Sequence, residues 1–214
     1  ELLKDRSSPI EKIDVSTNSM LVQKDYEKVN YFFDKILVNN TTQAEVFNYT
    51  TKPVIESFFN GFNGTILAYG QTGSGKTYTM TGEFTDPNIK GIIPRALEMI
   101  CNKNSQQEGK LYLAFIQIYL ENIQDLLCPQ SKDIKIQEDS ERNLHINGIK
   151  WIQIESLGQC MNVLAYGEKN KIVENTNMNE KSSRSHTIVM LKFARIKLER
   201  IRCKKRFGYE KMFF

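Results

Sequence analysis

No apolar run in the 214-residue sequence approaches the roughly 18–20 residues that a bilayer-spanning helix needs, so a transmembrane segment is excluded. The first residues hold no short apolar core of the kind that directs secretion, and a cytoplasmic setting is expected. Cysteine is sparse. Cys101, Cys128, Cys160 and Cys203 stand far apart, with no Cys-x-x-Cys pair and no histidine spaced to complete a zinc site, so free thiols are expected. Only five prolines, with 40% hydrophobic and 25% charged residues, exclude disordered and collagen-like chains. Net positive charge is missing from most of the chain. Residues 192–214 hold nine of the 29 Lys and Arg but two of the 25 Asp and Glu, so the excess of +4 originates there.

What is present alternates between helical and strand patterns, with no internal repeat, and reads as one continuous domain. Residues 44–60 place Val46, Phe47, Val54, Ile55, Phe58 and Phe59 at helical spacings, and Gly61 is a stop signal. Pro53 should kink or divide that helix, because proline has no N–H to donate. Gly64–Tyr69 is a short apolar run that predicts a strand buried on both faces. A helix is predicted after Lys76, broken by a polar loop around Asp86-Pro87-Asn88 and resumed from Pro94 to Ile100. Strands are predicted over Leu111–Tyr119, Ile134–Ile136, Asn143–Ile154 and Thr187–Leu191. Ser156 is suited to cap a helix carrying Leu157, Cys160, Met161, Val163 and Leu164. Interleaved strands and helices argue for an α/β sheet with helices on both faces.

Gly70-Gln71-Thr72-Gly73-Ser74-Gly75-Lys76-Thr77 satisfies G-x-x-x-x-G-K-[ST] at every fixed position. A polyphosphate is bound by wrapping backbone N–H groups around it, and glycines allow the required φ > 0 and the close backbone approach. Lys76 is expected to reach the β and γ phosphates and the Thr77 hydroxyl to ligate Mg²⁺, with the start of the next helix adding its dipole. A predicted strand before the loop and a predicted helix after it supply the context that the motif requires.

A second constellation, Asn179-Glu180-Lys181-Ser182-Ser183-Arg184-Ser185-His186, gathers hydroxyls and one guanidinium just before a predicted strand. Hydroxyls can hold an attacking water and complete a Mg²⁺ shell, and an arginine can anchor the loop that carries them. Such a run also serves as a solvated turn or helix cap.

Together the two strings are more specific. Ala68-Tyr69-Gly70-Gln71-Thr72-Gly73-Ser74-Gly75-Lys76-Thr77-Tyr78-Thr79-Met80 closely resembles the kinesin motor phosphate loop, and Asn177 to His186 resembles the kinesin switch I loop. Gly91–Arg95 is similar to the family's helix where it resumes after a long loop, and Ile118–Leu127 to its strand and short turn. The resemblance runs from about Tyr31 to about Phe193. It implies a P-loop NTPase-type mixed central sheet flanked by helices, ATP·Mg²⁺ hydrolysis, microtubules as partner and a cytoskeletal location, with neither nucleic acid nor membrane as partner. It implies that Gly70, Gln71, Thr72, Gly73, Ser74, Gly75 and Lys76 cradle the phosphates, that Thr77 holds Mg²⁺ and that Tyr78 lies near the adenine. Asn179, Ser182 and Ser183 would close over the γ-phosphate and order the attacking water, Ser183 would join the Mg²⁺ shell, and Arg184 would latch switch I to switch II.

Departures from the family pattern shape the remaining expectations. Asn170-Lys171 stands where the family usually has Asn-Arg. Neither Arg-x-Arg-Pro nor, after switch I, Asp-x-Ala-Gly-Ser-Glu occurs in the sequence, and the basic segment from Ala194 onward does not resemble the family. The expected layout is a partial motor domain over 1–193 and a basic segment over 194–214, the latter a solvated edge strand running into a frayed terminus. The expected protein is a motor-domain fragment with slow or undetectable turnover of its own. The alternatives are a degenerate kinesin-like nucleotide-binding protein, or a P-loop NTPase or basic module outside the family.

Overall fold

The computed structural model of the protein describes residues 9–84, 86–105, 109–140, 144–171, 185–197 and 206–213, in two compact units divided between Thr42 and Gln43. In the first unit β1 (Ile10–Asp14), β2 (Ser19–Lys24) and β3 (Glu27–Phe32) form an antiparallel meander. The β1–β2 turn is built on Asp14, whose carboxylate accepts from Ser16 N at 3.0 Å, Ser16 Oγ at 2.5 Å and Thr17 N at 3.3 Å. These donors, the Ser16 hydroxyl foremost, hold the Asp14 carboxyl below its ordinary pKa.

The second unit opens with α1 (Gln43–Thr50) and α2 (Lys52–Phe59), so Pro53 divides the predicted helix, as its missing N–H requires. The division is slight: Thr51 N still reaches Phe47 O at 2.9 Å, and Ile55 N reaches Thr51 O at 3.0 Å. Then follow β4 (Gly64–Thr65), α3 (Lys76–Met80), α4 (Ile92–Asn104), β5 (Gly109–Tyr119), β6 (Asn122–Asp125), β7 (Lys135–Glu138), β8 (Leu144–Asn147), β9 (Ile152–Ile154), α5 (Leu157–Lys169), β10 (Ser185–Lys197) and β11 (Arg206–Phe213). Ser156 caps α5 as expected, its hydroxyl accepting from Gln159 N at 3.2 Å. No helix among the described residues is long and apolar enough to cross a membrane.

The main sheet is mixed and ordered β4-β11-β10-β5-β6, with β9 pairing the same edge of β5 as β6. The β5–β10 ladder runs unbroken from Gly109↔Arg195 to Tyr119↔Ser185. Alternation along these strands builds two faces. Leu111, Leu113, Phe115, Val189, Leu191 and Phe193 share one cluster with side chains of α1, α2, α4 and α5. Ala114, Ile116 and Met190 lie opposite, under Ile123, Ile146, Ile149, Trp151 and Ile188. A separate hairpin, β7–β8, carries Ile146.

Two expectations need correction. The run Gly64–Tyr69 is not a strand buried on both faces. Only Gly64 and Thr65 pair, in parallel with Met212 and Phe213, while Leu67 and Tyr69 are 81% and 96% exposed. β4 ends the strand order and its ladder with β11 is two residues long, so little covers the segment that follows. Nor do the described parts of the basic segment, 194–197 and 206–213, form an edge strand. β11 lies between β10 and β4, antiparallel to β10 from Met190↔Phe213 to Lys197↔Arg206, which satisfies its backbone on the β10 side along its full length.

Asp125 ties the end of β6 to two loops. Its buried carboxylate accepts from Leu127 N at 2.8 Å, Cys128 N at 3.1 Å and Lys150 N at 2.6 Å. Asp125→Asn turns an amide donor toward one of those N–H groups, and an expected loss of about 1–3 kcal/mol in unfolding free energy is checked by urea denaturation.

Candidate phosphate-binding site

The site is built by the chain between β4 and α3. Gly73 and Gly75 take φ of 81° and 90°, left-handed values that Cβ-bearing residues avoid, and Gly75 forms the N-cap of α3. A Cβ on either glycine would meet nothing within 4 Å, so backbone conformation rather than crowding demands glycine there. Ser74 N donates to Gln71 O at 3.2 Å, which holds the loop in a tight turn, and residues 71–75 are exposed.

Lys76 folds back over this turn. Its Nζ donates to Gly70 O at 2.8 Å and to Gln71 O at 2.7 Å, so the ammonium lies against the loop's own carbonyls. Thr77 is exposed, and its carbonyl accepts from Thr81 N and Gly82 N as the helix closes. Tyr78 is 55% exposed. Its carbonyl accepts from Nε2 of Gln43 at 2.6 Å, and Gln43 itself is buried, so the start of α1 fixes α3. Residue patterning did not single out Gln43; its only sequence signal is a polar residue in the first turn of an amphipathic helix.

Beyond α3, Gly91 N donates to Thr81 O and Glu83 N to Ile89 O, closing the polar loop into a hairpin-like neck. Arg95, on α4, donates to the carbonyls of Lys90 and Pro87, which fastens that neck to the helix.

Gly70 to Tyr78 are thus brought together as one contiguous loop and helix. Asn179, Ser182, Ser183 and Arg184 lie outside the described residues, but the elements flanking them are defined. At the end of α5, Asn170 Nδ2 donates to Leu126 O at 2.8 Å. Lys171 pairs with Glu168 at 2.6 Å and lies 5.3 Å from the Phe115 ring centroid, so the lysine found in place of the family's arginine is engaged on both sides. On the far side, Ser185 and His186 open β10 opposite Tyr119 and Ile118.

The loop fits a polyphosphate. It offers a turn of exposed backbone with an ammonium already at its mouth, and a hydroxyl on the next residue. One hydroxyl together with phosphate oxygens is a ligand set that suits Mg²⁺.

A family model of the kinesin motor domain matches residues 4–209. The chain belongs to the kinesin motor-domain family. This kinesin domain is 38% identical over 193 residues to a kinesin heavy chain of Syncephalastrum racemosum, which covers 88% of this chain and 21% of that protein. It is 41% identical over 169 residues to kinesin-like protein KIN-UA of Oryza sativa subsp. japonica, covering 78% and 18%. It is 38% identical over 180 residues to kinesin heavy chain isoform 5C of Homo sapiens, covering 82% and 18%. The solved structure of a fast kinesin, 29% identical, matches with a TM-score of 0.82 over 97% of this chain and 58% of that one. The chain spans about a fifth of the length of these curated relatives. The family match extends beyond Tyr31 and Phe193, the expected limits of the resemblance, and includes the first half of β11.

Proposed function

We propose that this kinesin domain binds ATP·Mg²⁺ at Gly70–Tyr78, and that the protein carrying it hydrolyses ATP as a microtubule motor of the cytoskeleton. The observation that carries the reading is the folded phosphate loop, with Gly73 and Gly75 left-handed and Lys76 at its mouth, in a chain of this family. Backbone N–H groups of Gly70, Gln71, Thr72, Gly73, Ser74 and Gly75 face the phosphate oxygens, and Lys76 exchanges its two carbonyl acceptors for them. The Thr77 hydroxyl holds the metal, which when bound offsets the charge that develops on the transferred phosphoryl group. Tyr78 flanks the base. Asn179, Ser182 and Ser183 position the attacking water, Ser183 completes the metal shell, and Arg184 anchors their loop.

Two measurements on the 214-residue chain test this. Titration with a fluorescent ATP analogue is expected to show saturable, Mg²⁺-dependent binding; no saturation at millimolar nucleotide overturns the reading. Co-sedimentation with microtubules is expected to be stronger with a non-hydrolysable ATP analogue than with ADP. Nucleotide binding with no microtubule pelleting in either state would leave a nucleotide-binding protein and remove the motor.

A further inference from the structure

Helices α1 and α4 pack side by side, and between them and the start of α2 lies a cleft of about 470 Å³, a size within the range of small-molecule sites. No residue of Gly70–Tyr78 lines it. Its lining combines two kinds of side chain. Phe47 of α1, buried, and Met99 of α4, half-buried, supply apolar surface, while Lys52, Arg95 and Lys103 supply positive charge. We propose that this cleft is a binding site for a small organic anion, a carboxylate carried on an aromatic body.

The charges select an anion. Glu98 is the one carboxylate among the lining residues, and Lys90 already holds it at 2.5 Å. Among the described residues none of the three cations of the cleft pairs with a carboxylate. They differ in what they have left to offer. Arg95 donates through Nε to Lys90 O at 2.8 Å and through Nη2 to Pro87 O at 2.5 Å, so its fork is turned to the neck of the polar loop. Lys103 is half-buried, and its Nζ lies 5.8 Å from the Phe59 ring centroid. A ring face attracts an ammonium but accepts none of its N–H groups as a carboxylate oxygen does, and no described residue accepts them either. Lys52 is exposed, with no partner among the described residues. A carboxylate that reaches Lys103 therefore gains charge-assisted hydrogen bonds from a cation partly withdrawn from water, where screening is weaker.

The apolar lining selects the body that carries the charge. A methionine sulfur makes favourable contacts with ring edges, and a phenyl ring such as that of Phe47 packs offset or edge-on against another aromatic. A compact inorganic anion would leave both side chains unused, and a neutral aromatic would leave Lys103 unanswered. The inference is independent of the nucleotide reading, because it draws on α1, the start of α2 and α4 alone.

The test uses the full 214-residue chain carrying carbon-13 at its methionine methyl groups, with 1-naphthoate as probe. The Met99 signal is identified by its absence from the Met99→Leu spectrum. Titration with 1-naphthoate is expected to shift that signal and to saturate with a Kd of about 1 mM or tighter. The neutral isostere 1-naphthamide is expected to bind at least about tenfold more weakly. That comparison is made on the wild-type chain, so it stands whether or not a variant folds. Lys103→Gln is expected to weaken naphthoate binding about tenfold and Lys52→Gln about two- to fivefold, the exposed charge being better screened. Lys76→Ala is expected to leave the titration unchanged, which separates the cleft from the phosphate loop. A Met99 signal that stays in place at about 10 mM 1-naphthoate overturns the proposal. So does equal affinity for 1-naphthamide, or loss of naphthoate binding in the Lys76→Ala chain.

Discussion

Replacing Phe193 with alanine is expected to lower the unfolding free energy of the sheet-containing unit by about 3–5 kcal/mol, the range for removing a buried phenyl ring. Phe193 has no exposed surface. Its ring meets Phe59 edge to face, with centroids 5.3 Å apart, and Phe58 at 6.3 Å, while Phe58 and Phe59 meet at 5.4 Å. The three rings therefore join α2 to β10. The upper part of the range is expected because the site has little freedom to collapse. On one side the ring lies against Gly109, where even a Cβ would approach to 2.3 Å, and Gly109 is held in the ladder by Arg195. Arg195 also donates to Phe59 O and lies 5.8 Å from the Phe193 ring centroid, so the guanidinium loses a packing surface as well. Phe193→Leu retains most of the buried volume, and its expected cost is under about 1.5 kcal/mol. Urea denaturation followed by circular dichroism measures both. A Phe193→Ala loss below 1 kcal/mol would mean that the rings do not pack as described.

The parts of this molecule that were legible in its sequence are those where one local constraint decides the outcome. The phosphate loop was readable because left-handed backbone at residues 73 and 75 demands glycine. Pro53 announced the α1–α2 division, Ser156 announced the start of α5, and the apolar run at Leu111 announced β5 because that strand is covered on both faces. What was not legible depends on distant partners. β1–β3 have mostly exposed or half-buried residues, and their tight turn is Asp25-Tyr26 rather than a glycine pair, so neither period nor punctuation marks them. β11 is a strand because β10 offers an eight-residue ladder, a fact absent from its own basic composition. The reverse error occurred at Ile66–Tyr69, where β propensity and hydrophobicity indicated a buried strand and the described sheet pairs only the two residues before it. Gln43 is the same lesson at a single residue. Its role follows from a carbonyl 35 positions away.

Lys76→Ala is expected to weaken binding of an ATP analogue by roughly 30- to 150-fold, equivalent to about 2–3 kcal/mol, while leaving the fold intact. The Lys76 ammonium donates to the carbonyls of Gly70 and Gln71, at 2.8 and 2.7 Å. Binding phosphate therefore replaces two charge–dipole hydrogen bonds with charge–charge ones, and the difference between them is what the lysine contributes. The alanine variant loses only those two bonds at an open loop, so its unfolding midpoint is expected to stay close to wild type. Arginine is not an adequate replacement. The Lys76 ammonium fits as a compact point charge inside a turn defined by the Ser74 N to Gln71 O bond, and a planar guanidinium would have to open it. Lys76→Arg is accordingly expected to recover less than a tenth of wild-type affinity. Thr77→Ala separates the metal from the phosphates: it is expected to lose most of the Mg²⁺ dependence while keeping Mg²⁺-free binding near wild type. Isothermal titration with and without Mg²⁺ reads all three variants. Wild-type affinity in Lys76→Ala would show that the nucleotide is held somewhere other than this loop.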